Sequence, residues 1–169
     1  MYKELLKYLG LFILLVFLQL FLFNNIQLSG YINPYFYILF ILLLPYETPG
    51  WLLLFLGFLT GLIIDTLMNT YGTHSSATLL MAFFRPYFLN FLTERDDIEK
   101  KGSPSMSQNG FNWFLRYTAT LTVAHHLMLF LIESFTFINI GATLWRTVLS
   151  SLVTLSFIIT SQFLFIRRK

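Results

Sequence analysis

WLLLFLGFLTGLIIDTLM, residues 51–68, is the stretch whose reading decides the fold. Only glycine, threonine and Asp65 interrupt its apolar character, and the run is long enough to cross a bilayer. An ionisable group at such a place is expensive and turns toward protein rather than lipid. Gly57, Gly61 and Asp65 follow one another at i, i+4 and i+8, on one helix face. Two bare backbone patches and a carboxylate therefore share a stripe, which predicts that another helix covers it. Catalytic, transport-related and structural roles for Asp65 all fit that stripe.

The rest of the chain has the same character. Of its 169 residues 56% are hydrophobic and only 11% charged, against about 25% charged in soluble domains. Aromatics make up 19%, mostly the 20 Phe, which suit lipid contact and helix packing. There is no cysteine, which excludes disulfides, zinc thiolate sites and cysteine nucleophiles. The three histidines, His74, His125 and His126, stand in no H-E-x-x-H pattern. No metal, no cofactor and no nucleic-acid partner is expected. The net charge of +3 reads as membrane topology.

Six hydrophobic segments can be drawn, over residues 5–23, 32–44, 51–68, 75–92, 113–132 and 145–165. They predict a single all-α domain over 1–169, a polytopic membrane bundle of about six transmembrane helices. The first segment follows Lys3 and Lys7 as a signal peptide would, but no small-x-small site follows it, so it is expected to be retained. The second, with Pro34 near its start and Pro45 after its end, is short for a span. Six spans put Lys3, Lys7, Arg95, Lys100, Lys101, Arg167, Arg168 and Lys169 on one side. That is eight of the eleven basic residues, and the opposite loops hold no Lys or Arg. Both termini are therefore expected in the cytoplasm. Residues 93–112, charged at first and then rich in Gly, Ser and Pro, read as a flexible cytoplasmic loop.

On that topology Asp65, Glu133 and Arg146 approach one depth from three segments, which predicts an intramembrane Asp65–Arg146 or Glu133–Arg146 ion pair. Arg85 and Pro86 interrupt the fourth segment. Proline predicts a kink or early helix end there, with Arg85 at the inner headgroups or against a partner. Arg116 is expected at lipid phosphate. His125 and His126 point about 100° apart, so packed, hydrogen-bonded histidines are the safer reading over a shared metal. Ser75 and Ser76 beside His74 lack a third catalytic member and an oxyanion site. Asp96 and Asp97 belong to the polar loop, away from any Mg²⁺-type cluster. The residues alone thus read as a small polytopic scaffold or a solute-binding subunit. A membrane enzyme on a lipid-linked substrate would need carboxylates gathered around an open polar pocket.

GFLTGLIIDTLMNTYGTHSSATLLMAFFRPYF, residues 57–88, resembles the rod shape-determining protein MreD family. The resemblance lies in the Gly-x-x-x-Gly-Leu-x-x-Asp core (Gly57, Gly61, Leu62, Asp65), in Gly72 of the next loop, and in the small and polar helix start Ser75, Ser76 and Ala77. Arg85 and Pro86 in AFFRPYF, and Asn33 and Pro34 upstream, add to it. It covers about a fifth of the chain sharply. The resemblance implies a non-enzymatic subunit of the cell inner membrane that organises lateral peptidoglycan synthesis. Its implied partners are MreC, the actin-like MreB, and RodA with its penicillin-binding transpeptidase. The implied fold is similar to the substrate-binding subunits of energy-coupling factor transporters, which makes a transporter subunit the alternative. Gly57, Gly61, Asp65, Arg85 and Pro86 would then form a helix-packing or partner surface.

Overall fold

In the computed structural model, which describes residues 2–26, 32–92, 102–135 and 139–166, the apolar runs become helices. These are α1 (Tyr2–Phe21), α2 (Leu39–Leu42), α3 (Gly50–Met68), α4 (Thr73–Leu92), α5 (Met106–Asn109), α6 (Phe111–Ser134) and α7 (Ile140–Ile166). The described residues are thus all-α, and four helical stretches are long and apolar enough to cross a membrane: Tyr2–Asn25, Gly50–Met68, Phe111–Ser134 and Ile140–Leu164. Helix α4 has 20 residues but is not among them. Its opening Thr-His-Ser-Ser and its Arg85 dilute an otherwise apolar sequence.

Local chemistry sets the ends. Helix α3 stops where Asn69 takes a left-handed conformation (φ 54°) and its N–H bonds back to the Asp65 carbonyl. Gly72, at φ 80°, completes a turn that glycine adopts without a Cβ penalty. The chain then reverses into α4, and Phe135 (φ 48°) ends α6 in the same way. Helices α3 and α4, α4 and α6, and α6 and α7 pack as antiparallel neighbours.

The second hydrophobic segment departs from the expected helix. Residues 33–35 are irregular, Phe36–Ile38 form a single 3₁₀ turn, and α2 is barely one turn long. Length gives the reason. Thirteen residues as an α-helix would reach only roughly 20 Å, well short of the hydrocarbon core. Looser backbone covers more distance per residue. Pro34 has no N–H to continue a helix ladder.

Everything from Pro34 to Leu44 is buried. Backbone groups in such a place must find partners inside the protein, and surrounding helices supply them. The Asn33 N–H donates to Ser150 Oγ at 3.2 Å and the Tyr35 N–H to Thr154 Oγ1 at 3.1 Å. Gln19 accepts from the Tyr37 N–H at 3.3 Å and donates to the Pro34 carbonyl at 3.1 Å. Toward the other end Tyr117 donates to the Leu42 carbonyl at 3.0 Å, and Arg85 donates to that of Leu44. Phe12 of α1 packs on Phe40 at 5.1 Å, and Phe23, just past α1, lies between Phe36 of this segment and Phe157 of α7 at 5.0 and 4.8 Å.

The second half of the polar connector makes contacts with the bundle. The Tyr46 N–H donates to the Gly102 carbonyl at 2.9 Å, Tyr8 and Ser103 share a bond of 2.6 Å, and Asn109 donates to the Tyr46 hydroxyl at 2.9 Å. Met106 inserts into the core at 4% exposure. Residues 102–112 are thus docked against the bundle, because Gly102, Ser103 and Asn109 bond to residues outside the connector and one apolar anchor is buried. Residues 93–101, with Arg95, Asp96, Asp97, Lys100 and Lys101, lie outside the described residues, as do Arg167, Arg168 and Lys169.

Candidate functional site

The stripe read from the sequence faces α4. A Cβ on Gly57 would stand 2.8 Å from the Ala82 Cβ and 3.2 Å from the Thr78 carbonyl. A Cβ on Gly61 would collide with the Ser75 Cα and lie 2.6 Å from both the His74 carbonyl and the Ser75 nitrogen. Only glycine permits this approach, which brings Asp65 onto the first turn of α4. There its Oδ1 accepts from the His74 N–H at 3.0 Å and from the Thr70 hydroxyl at 2.6 Å. Its Oδ2 accepts from the Ser75 N–H at 2.8 Å and from the Ser75 hydroxyl at 2.5 Å.

The first N–H groups of a helix have no partner within it, and a carboxylate there also meets the positive end of the helix dipole. Gly72, just ahead of α4, has no side chain to act as a cap. Asp65 supplies the missing oxygens from the neighbouring helix. His74 Nδ1 lies 3.1 Å from Asp65 Oδ1, so the carboxylate selects the tautomer protonated on that nitrogen. Asp65, His74 and Ser75 have the residue types of a hydrolase triad, but the serine hydroxyl is bonded to the carboxylate. Nucleophilic activation requires that bond to run to the imidazole.

Of the two expected ion pairs, Glu133–Arg146 is present and Asp65–Arg146 is not, because the turn after α3 delivers nearer partners to Asp65. Arg146 donates to Glu133 at 2.9 Å, its guanidinium lies 4.2 Å from the Phe130 ring centre, and the Asn33 amide, with its oxygen toward the guanidinium, accepts at 2.9 Å. Arg85 reaches neither headgroups nor a partner surface. At 1% exposure it donates from Nε to the Tyr117 hydroxyl at 3.0 Å, and to the Leu44 carbonyl. Pro86 is exposed, and α4 continues past it to Leu92. Arg116 is exposed on α6.

Tyr35 brings the three histidines together. Its ring centre lies 5.2 Å from His74, 5.3 Å from His126 and 6.1 Å from His125. His125 Nε2 meets the Tyr37 hydroxyl at 2.9 Å. His126 uses Nδ1 on the Thr122 carbonyl at 2.8 Å and Nε2 on Thr154 at 3.1 Å. Both are packed and bonded on separate sides, as their angular separation on one helix requires. Among the described residues no three His, Asp or Glu gather in a way that would hold a metal ion.

Sequence reasoning missed Gln19, Tyr37, Tyr117, Ser150 and Thr154, which complete the backbone of the unwound segment. Gln19 was findable by the criterion that singled out Asp65: it is the one polar residue within LFILLVFLQLFLF. Compared with protein-family models, with curated proteins and with solved structures, the chain matches none.

Proposed function

We propose that this chain is a non-enzymatic, six-crossing subunit of the cell inner membrane, with both termini cytoplasmic. In this reading it organises lateral wall synthesis together with MreC and with RodA and its transpeptidase. The motif over residues 57–88 supports it, and one structural observation carries it. The buried polar side chains Asp65, Arg85, Gln19, Tyr117 and Thr154 all end on the chain's own backbone. Polar groups used in this way stiffen a bundle and leave its apolar outer faces to neighbours, as a scaffold requires. Gly57, Gly61 and Asp65 then act inside the subunit, by holding the α3–α4 hairpin, and partners meet its outer faces.

The test is purification of the tagged, full-length protein from its own cells in mild detergent, with mass spectrometry of what accompanies it. Recovery of MreC and the RodA–transpeptidase pair is the expected result. Their absence from repeated preparations, with unchanged cell shape on depletion, would overturn the reading. The alternative, a solute-binding subunit of an energy-coupling factor type transporter with the corresponding fold, draws on the unwound segment beside three histidines. Broken helices of that kind surround solute sites in transporters. Recovery of transporter ATPase subunits would favour it.

A further inference from the structure

A cavity of about 620 Å³ opens where α1, α7 and the docked residues 102–108 meet, far from the histidine cluster. Its volume is that of a ligand site, and its lining mixes charged, hydroxyl and apolar groups. Glu4 and Lys7 of α1, Ser105 and Ser107 of the docked connector, and Gln162 of α7 are among its polar lining. Leu11, Leu14 and Leu43 contribute apolar lining. Lys7 lies 3.6 Å from Glu4, and both side chains are more than half exposed, so the mouth offers both signs of charge to an incoming group.

Gly10 gives an independent indication. It sits in the middle of α1, where glycine costs about 1 kcal/mol relative to alanine. Yet a Cβ there would meet nothing within 4 Å. Close packing therefore does not explain this glycine, unlike Gly57 and Gly61. It is exposed and lines the cavity, where the absent side chain leaves open space.

We propose that this cavity seats one zwitterionic phosphoglyceride of the phosphatidylethanolamine type. The phosphate meets Lys7 and the hydroxyls of Ser105 and Ser107, the ammonium meets Glu4, and one acyl chain lies over Gly10 toward Leu11 and Leu14. The lining offers charged, hydroxyl and apolar side chains together, the three chemistries such a lipid carries. The paired charges at the mouth complement a headgroup that is itself neutral overall, in preference to an anionic one. The inference needs α1 to stand in a bilayer and does not depend on the scaffold reading.

The test uses full-length protein equilibrated in mixed micelles of phosphatidylethanolamine and phosphatidylglycerol in equal amounts, then native mass spectrometry of retained lipid. One phosphatidylethanolamine per chain is expected. Gly10→Leu, which puts a side chain into the open space beside Gly10, and Lys7→Glu, which sets two carboxylates against the phosphate, should each reduce retention about tenfold. Circular dichroism and the thermal midpoint of both variants should stay with those of the parent protein, since neither site is packed. Equal retention of the two lipids, preference for phosphatidylglycerol, or undiminished retention in folded Gly10→Leu would each overturn the proposal.

Discussion

Gly61→Ala is the sharpest probe of the α3–α4 contact, because the added methyl would meet backbone rather than a side chain that can turn aside. Its neighbours would be the Cα and nitrogen of Ser75 and the carbonyl of His74. These atoms are the first turn of α4, so relief requires the two helices to part. Overpacking of this kind costs about 1–3 kcal/mol, and rigid backbone neighbours place it at the upper end. Parting the helices also stretches the bonds from Ser75 to Asp65, which are charge-assisted and worth about 1.5 kcal/mol or more each. The gain in helix propensity from glycine to alanine returns about 1 kcal/mol. The net effect is a loss of roughly 3 kcal/mol, or about 6–12 °C in the thermal midpoint for a chain of this size. The assay is thermal unfolding of detergent-solubilised protein, with Gly57→Ala and Gly10→Ala alongside. Gly57→Ala should fall less, since its nearest neighbour is the single Ala82 methyl, and Gly10→Ala should not fall at all. A midpoint for Gly61→Ala equal to the parent's, or an equal fall for Gly10→Ala, would refute the reasoning.

Asp65→Ala should be more damaging still, about 3–5 kcal/mol, because it strands the buried N–H groups of His74 and Ser75 together. Asp65→Asn, which keeps acceptor oxygen, should recover part of that loss in the same unfolding assay. Arg85→Lys should lower the midpoint by the equivalent of about 1–3 kcal/mol, since an ammonium lacks the fork that serves Tyr117 and Leu44 at once. Arg116→Ala, at an exposed position, should leave the midpoint in place. Gln19→Leu should cost about 2 kcal/mol despite its apolar surroundings and speed hydrogen exchange at the Tyr37 amide, which loses its acceptor.

The sequence made the helices legible where hydrophobic runs were long, and the glycine–aspartate stripe where spacing repeated at four. It did not disclose the partner of that stripe. Depth across the membrane pointed Asp65 toward Arg146, whereas chain connectivity decided the matter: a short turn through Asn69 and Gly72 brings His74 and Ser75 back first. Residues 32–44 were misread because unbroken hydrophobicity carries no periodicity. YILFILLL, residues 37–44, has one composition whether it forms a complete helix or a buried, partly unwound strap. The clue lay elsewhere, in the isolated polar residues of other helices such as Gln19 and Thr154, which have no purpose in lipid and one evident use against unpaired backbone. The contacts of the connector's second half were not legible for a similar reason. Its Gly, Ser and Pro content favours turns, but Met106 was the sign of an anchor.

The strap also constrains how the molecule is made. Its amide groups at Asn33 and Tyr35 are satisfied by Ser150 and Thr154, which leave the ribosome more than a hundred residues later. Until α7 arrives, this stretch has no finished place in the bundle, and the nascent chain must keep it hydrated or provisionally coiled. The last helix therefore acts as a latch on the first third of the protein. A chain that stops short of residue 150 loses a span and, with it, the means of closing its own centre, which makes completeness of synthesis a condition for the core to set.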